Sequence, residues 1–391
     1  MAPSEQDGSA GALQPLVAGV VGALTGFIGS FAIVLAGLSA AGASPREAAS
    51  GLLVLCVLQA GLTVLLSWRH RLPLGFAWST PGAALLVSAH SGASFPAAIG
   101  AFLVCGLLIV VTGLSPVLSR AITRIPASVS GALLAGILLP LCLVPVTAST
   151  ELPAYALPIV AVWLVLQRLA PRWSVPAALV VAVLGMAASA AGMAPQVDWT
   201  PALVPHVPVF DPAVVVSIGV PLYLVTMASQ NVPGLAILRA FGYEQLPTRS
   251  LLAGSGAATL LAAPFGGHTI NLVALSAAIT AGPEASPDRA RRWLSSLSSA
   301  ATYVGFGLAA PAVASYVAGA SPVLIEAVAG LALMSALVTG LVAALQDPQE
   351  RVPAAVTFLV VVSGTTIGGI GSAFWGLLAG GAALLWLRER R

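Results

Sequence analysis

The stretch "FAWSTPGAAL", residues 76–85, places Trp78, Ser79, Thr80, Pro81 and Gly82 together between hydrophobic runs, and the apolar run it opens is short. Whether that run crosses a membrane decides how the chain is arranged. Its surroundings are those of a membrane protein. Of 391 residues, 58% are hydrophobic and 7% charged, against roughly 25% charged in soluble domains. Apolar runs long enough to cross about 30 Å of hydrocarbon as helices recur from end to end.

Twelve long runs fall at 15–41, 46–67, 94–114, 127–146, 154–167, 175–194, 212–230, 249–263, 292–316, 322–345, 352–367 and 371–387. Two shorter pieces, 79–90 and 269–281, would each span roughly 18–20 Å, too little to cross alone. All 16 basic residues are Arg, and their placement arbitrates. If both short pieces cross, fifteen arginines share one side with both termini and Arg46 stands opposite; if neither crosses, the split is nine to seven. The first arrangement has the positive-inside bias. The sequence therefore predicts an all-α polytopic protein of fourteen segments with both termini cytoplasmic. Residues 1–14 form a short cytoplasmic N-terminus without the basic region of a cleaved leader.

Both short pieces then cross as half-helices completed by extended backbone, which survives at membrane depth only when buried in protein or lining a watery cavity. "PLGFAWSTPG" (73–82) and "APFGGHTIN" (263–271) carry Pro and Gly ahead of Ser, Thr or His, the chemistry of an extended run entering a helix. They precede the third and tenth segments, so the chain divides seven plus seven, at 15–194 and 212–387. "IPASVSGALLAGI" (125–137) faintly matches "SPVLIEAVAGLAL" (321–333), with Pro126 opposite Pro322. An odd number of segments per half makes the repeat inverted, and paired interrupted segments mark a transporter's central site.

A helix starting inside the membrane offers unpaired N–H groups and a partial positive charge. Two such ends form an anion site without Lys or Arg, and no arginine falls within a predicted crossing core. Candidate substrate-binding residues are Ser79, Thr80 and Gly82 at the first break, and Gly267, His268, Thr269 and Asn271 at the second. Ser and Thr there also serve as plain caps. His268, with an ordinary pKa of about 6.5, suits proton uptake and release; a neutral His bonded to a backbone carbonyl is the plainer alternative. "YLVTMASQN" (223–231) adds Tyr223, Ser229, Gln230 and Asn231, with Pro233 expected to break the helix ladder. Ser30 and Thr25 in the first run are further candidates of that kind. Glu326, one turn after Pro322, is a second candidate for proton coupling. The pairs Gly22/Gly26, Gly364/Gly368 and Gly376/Gly380, and "AGSGA" (253–257), are read as close helix packing. His70, His90 and His206 lie at loops or helix ends and are read as interfacial.

Cys56, Cys105 and Cys142 fall in apolar runs and suit small buried residues better than a disulfide framework or metal site. No metal or cofactor is expected, since no zinc motif, catalytic carboxylate pair or nucleotide loop stands in the sequence. The net charge of +3 lies in short loops and points to no nucleic acid.

"AWSTPGAALL" (77–86), "ASQNVPGLAILRAFGY" (228–243), "APFGGHTINLVALSAAIT" (263–280) and "GPEASPDRARRW" (282–293) closely resemble the benzoate membrane transporter (BenE) family, along essentially the whole chain. The resemblance implies a bacterial inner-membrane benzoate/proton symporter, distantly related to the uracil permease and sulfate transporter superfamily with its seven-plus-seven inverted repeat. It implies a core domain, 15–114 plus 212–316, moving against a gate domain, 127–194 plus 322–387, in a homodimer. By position, Ser229 or Gln230 stands where uracil permeases carry a substrate-binding Glu, and His268 replaces the Glu that starts their tenth segment. A buried carboxylate would repel a benzoate anion, so neutral groups there suit an anionic ligand. Phe27, Phe76, Trp78, Tyr223 and Phe265 are the aromatic residues available to flank a ring. The expected function is secondary active uptake of an aromatic carboxylate, benzoate, with protons, by alternating access at a midplane site. The alternatives are a carrier of another anion or a nucleobase, or an intramembrane enzyme with His268 as general base.

Overall fold

The computed structural model describes residues 5–89, 93–123, 126–189, 199–273, 279–318 and 322–388. Among them, six helices are long and apolar enough to cross a membrane, or seven if Arg289–Leu308 and Ala310–Tyr316, bent by 52°, make one span. Pro153–Leu169, Ser174–Gly185, Arg351–Val362 and Ser372–Leu387 are apolar but shorter. Leu107, Val146, Leu164, Leu184, Leu359 and Trp386 are each more than half exposed on helix faces. Water penalises so much bare apolar surface and lipid does not, so this is a polytopic integral membrane protein.

Local chemistry sets the helix ends. Ser44 and Glu47 form a reciprocal capping box at the start of Pro45–His70, which Arg71 closes in the left-handed conformation at φ 53°. Pro212–Ala240 runs on through Pro233, correcting the expected break. The turns Val215–Gly219 and Met227–Asn231 are π-helical, and a widened turn just ahead of Pro233 lets the ladder absorb a residue without an N–H.

Two three-residue strands lie in the interior. β1 (Phe76–Trp78) pairs antiparallel with β2 (Ile270–Leu272), with Ala77 opposite Asn271. A two-stranded ribbon leaves its outward amides unpaired, which is expensive away from water. Side chains from three helices meet that need. Thr63 Oγ1 accepts from Phe76 N at 3.1 Å, Thr259 Oγ1 from Ile270 N at 2.9 Å, and Asn231 Oδ1 from Leu272 N at 3.0 Å. After β1 the nine-residue helix Thr80–Ser88 begins at once. After β2, residues 274–278 lie outside the described residues, so most of the expected second short helix does too; 279–281 are helical.

Helix Ala127–Glu151 packs against Pro322–Leu345, the two holding the faintly similar sequences. Gly131 faces Gly340 and Ala344 while Gly330 faces Leu141, so the helices run antiparallel. Phe95–Leu114 and Thr248–Ala262 also run antiparallel, with Gly106 against Gly256 and Gly113 against Ala253. Gly376 and Gly380 press against Thr357 as packing glycines should. Gly364 and Gly368 differ from expectation. They have open space around them and φ of 63° and 61°, so they turn the chain after Arg351–Val362 rather than pack helices.

Candidate functional site

Strand β1, Val273 just after β2 and the start of helix Thr80–Ser88 form one wall of a cavity of about 350 Å³. Ser30, Trp78, Thr80, Gln230, Tyr303 and Ser335 supply most of its polar or aromatic lining, and among the described residues no lining side chain is charged. Thr25, read as a weaker candidate, lines it as well. Trp78 and Tyr303 meet edge to face, ring centroids 5.8 Å apart at 83°. Phe27 lies behind them, 5.7 Å from Trp78 and stacked at 4.1 Å on Phe306. Trp78 Nε1 donates to Ser30 Oγ at 2.8 Å, which donates to the Gly26 carbonyl at 2.7 Å. That chain spends the indole N–H and fixes the ring.

At the head of helix Thr80–Ser88, Ser79 is the N-cap. Its Oγ accepts from Gly82 N at 3.1 Å, and its carbonyl accepts from Ala83 N at 2.8 Å. Pro81 has no N–H, so Thr80 holds the remaining first-turn amide, and Thr80 lines the cavity. Thr226 Oγ1 donates to Ser79 Oγ at 2.9 Å. His268 is fully buried, with Nε2 3.1 Å from the Ser79 carbonyl. A carbonyl only accepts, so Nε2 is the donor in this bond, and Nδ1 is buried without a hydrogen-bond partner among the described residues.

Of the sequence candidates, Ser30, Thr80 and Gln230 therefore line the cavity, and the other nine substrate-binding candidates do not. Ser79, Gly82, His268 and Thr269 sit directly behind it, with Thr269 accepting from Ser79 N at 3.1 Å. Asn231 supports β2 and Asn271 Nδ2 bonds the Leu272 carbonyl at 2.8 Å. Ser229 Oγ returns to the Val225 carbonyl at 2.6 Å, a bond within its own helix. Tyr223 is buried, its hydroxyl 2.6 Å from Thr112 Oγ1. Gly267 packs against Ala262 and Val54. Phe76 and Phe265 lie in the packed interior rather than on the cavity wall. Glu326 lines a different cavity. His206, read as interfacial, lies 3.3 Å from Glu47 on an extended stretch held by Val204 N to Ser50 Oγ and Val209 N to the Pro96 carbonyl.

Sequence reasoning missed Thr226, Tyr303 and Ser335. Thr226 had a signal, lying one helical turn before Gln230 in the same polar stretch. Tyr303 and Ser335 sit in apolar runs where one aromatic or hydroxyl looks like packing.

The model of the family described as benzoate membrane transport protein matches residues 10–385. The inner membrane protein YdcO of Escherichia coli is 37% identical over 373 residues, covering 95% of each chain. The benzoate membrane transport protein of Acinetobacter baylyi is 29% identical over 385 residues, 94% of this chain and 93% of that one. Among solved structures, the transmembrane domain of the cyanobacterial bicarbonate transporter BicA superposes with a TM-score of 0.60 at 16% identity, covering 94% of this chain and 98% of that chain. The murine anion transporter Slc26a9 in its inward-facing state gives 0.62 at 13% identity, covering 96% and 68%. At such identities these two likenesses show the fold alone.

Proposed function

The chain belongs to the benzoate membrane transport protein family, a family of membrane transporters rather than enzymes, and from that premise we propose that it carries benzoate inward together with protons by alternating access. The observation that carries this reading is the uncharged, aromatic-walled cavity at the head of helix Thr80–Ser88. A carboxylate there meets the Thr80 amide, a helix N-terminus and the hydroxyl or amide groups of Thr80, Gln230 and Ser335, while its ring lies against Trp78 and Tyr303. Ser79, Gly82, His268, Thr269, Asn231 and Asn271 act behind that surface, holding the two breaks in register.

The wider architecture belongs to the same proposal. Fourteen crossings in two inverted sevens accord with the arginine bias and with the antiparallel packing of Ala127–Glu151 on Pro322–Leu345. Helix Thr80–Ser88 and its counterpart after β2 act as half-helices whose missing length the ribbon supplies. The core (15–114, 212–316) moves against the gate (127–194, 322–387) within a homodimer of the bacterial inner membrane, both termini cytoplasmic.

The test is labelled benzoate uptake by the purified protein in proteoliposomes, with and without an inward proton gradient. Accumulation that needs the gradient and yields to unlabelled benzoate, but not to uracil or sulfate, is the expected result. Absence of gradient-stimulated uptake in vesicles holding folded protein overturns it.

A further inference from the structure

A second cavity, of about 300 Å³, lies at the other end of helix Thr80–Ser88, with Ser88, Ser217, Ser372 and Glu326 among its lining residues. The two cavities share two helices as walls. Thr80 and Pro81 line the first and Leu85, Val87 and Ser88 the second; Ala332, Leu333, Ser335 and Ala336 line the first and Glu326 the second. The six residues from Glu326 to Ala332 span about 9 Å of helix. The cavities thus lie one beyond the other along both helices, and the arginine bias puts the Pro322 end on the extracytoplasmic side.

Glu326 is half-buried and makes no hydrogen bond or ion pair among the described residues. The groups facing it from Thr80–Ser88, Ala127–Glu151, Val215–Gly219, Arg351–Val362 and Ser372–Arg388 are all uncharged. An ionisable side chain at such a place, with no countercharge among the described residues, is a functional site by default.

We propose that the second cavity is the outer vestibule of the transport path and that Glu326 is its proton gate. An ionised Glu326 repels a carboxylate entering the same low-dielectric space. A proton taken from vestibule water onto the Glu326 carboxylate removes the repulsion, and it is released on the opposite side when the anion leaves, which restores the carboxylate. Proton and anion are then coupled through two stacked cavities rather than one shared site. This inference rests on the proposed proton-driven carboxylate uptake.

The test compares wild type with Glu326→Gln and Glu326→Asp in proteoliposomes, measuring gradient-driven benzoate accumulation and, without a gradient, benzoate–benzoate exchange. Glu326→Gln is expected to lower accumulation at least about fivefold, the low end of coupling between two ligand sites, while exchange continues. Glu326→Asp keeps the gradient response. A wild-type gradient response in the Gln variant overturns the gate, and so does loss of exchange in both variants. A second measurement needs no substrate: a protonated carboxyl group gives its proton to dicyclohexylcarbodiimide nitrogen and adds through oxygen to the central carbon, so Glu326 labelling in the purified protein, read by peptide mass spectrometry, is expected to fall as pH rises. Labelling that is absent or indifferent to pH overturns the gate. Wild type that ignores benzoate but labels with this pH dependence refutes the proposed substrate and supports the gate.

Discussion

The ring of His268 and the backbone of Ser79, 189 residues apart in sequence, meet in a buried hydrogen bond of 3.1 Å. It joins the two interrupted stretches just behind the cavity wall, and it uses the ring nitrogen that carries the proton. On the proposed reading His268 is a structural clasp. His268→Ala removes one of the two hydrogen bonds the Ser79 carbonyl accepts, the bond from Ala83 N remaining, at about 1 kcal/mol. Thermal unfolding in detergent is expected to register that loss. His268→Gln retains an N–H donor and is expected to recover much of the stability and the gradient response. A Gln variant of wild-type stability that no longer accumulates benzoate would return the proton to His268.

Ser79 Oγ has two partners, Gly82 N and Thr226 Oγ1. Ser79→Ala removes an N-cap and is expected to destabilise by about 1 kcal/mol. Because helix Thr80–Ser88 begins at the cavity, the same change is expected to raise the KM for benzoate more than it lowers the maximal rate. Thr226→Val leaves the Gly82 bond intact, so its effect in both assays is expected to be smaller. An equal or greater effect would show that Thr226 touches the ligand.

Tyr223 separates a binding role from a packing one. Its hydroxyl lies 2.6 Å from Thr112 Oγ1, which also donates to the Leu108 carbonyl at 2.7 Å. Tyr223→Phe costs about 1 kcal/mol for the lost bond. The KM for benzoate is expected to stay within about twofold, since the ring keeps its packing. A large rise in KM at unchanged stability would place Tyr223 on the substrate after all.

Local chemistry made much of this legible. Trp78, Ser79, Thr80, Pro81 and Gly82 announce an extended stretch turning into a helix, and the structure starts a helix at Thr80 behind a Ser79 cap. The composition announces the membrane. What a single sequence does not encode locally is which way a buried polar group turns. His268, Thr269 and Asn271 are polar residues at a break, and nothing in their spacing distinguishes a ligand contact from support of the ribbon. The pairing of Ala77 with Asn271 sets these residues into the ribbon, off the cavity wall, and it is a tertiary fact. Pro233 misled because the rule that proline ends a helix supposes a regular α ladder, and a π-helical turn precedes it here. Tyr303 went unseen for a related reason: it reaches the cavity only because Trp293–Leu308 packs on Glu5–Ile28, where Gly26 leaves room for its hydroxyl.

Gln230 gives the sharpest test of charge. It lines the cavity, is half-buried, and has no hydrogen-bond partner among the described residues, so replacing it strands no other group. Gln230→Glu is nearly isosteric and puts a carboxylate into a cavity whose described lining carries no compensating cation. Two like charges about 4 Å apart repel by about 4 kcal/mol at an effective dielectric constant of 20. Benzoate affinity is therefore expected to fall by at least about a hundredfold, with unfolding temperature little changed. Gln230→Leu removes polarity without adding charge and is expected to weaken uptake by only about tenfold, the worth of one hydrogen bond. Competition against labelled benzoate in proteoliposomes measures both. If the Glu and Leu variants weaken binding equally, the anion does not sit beside Gln230, and the carboxylate must be sought elsewhere on the path.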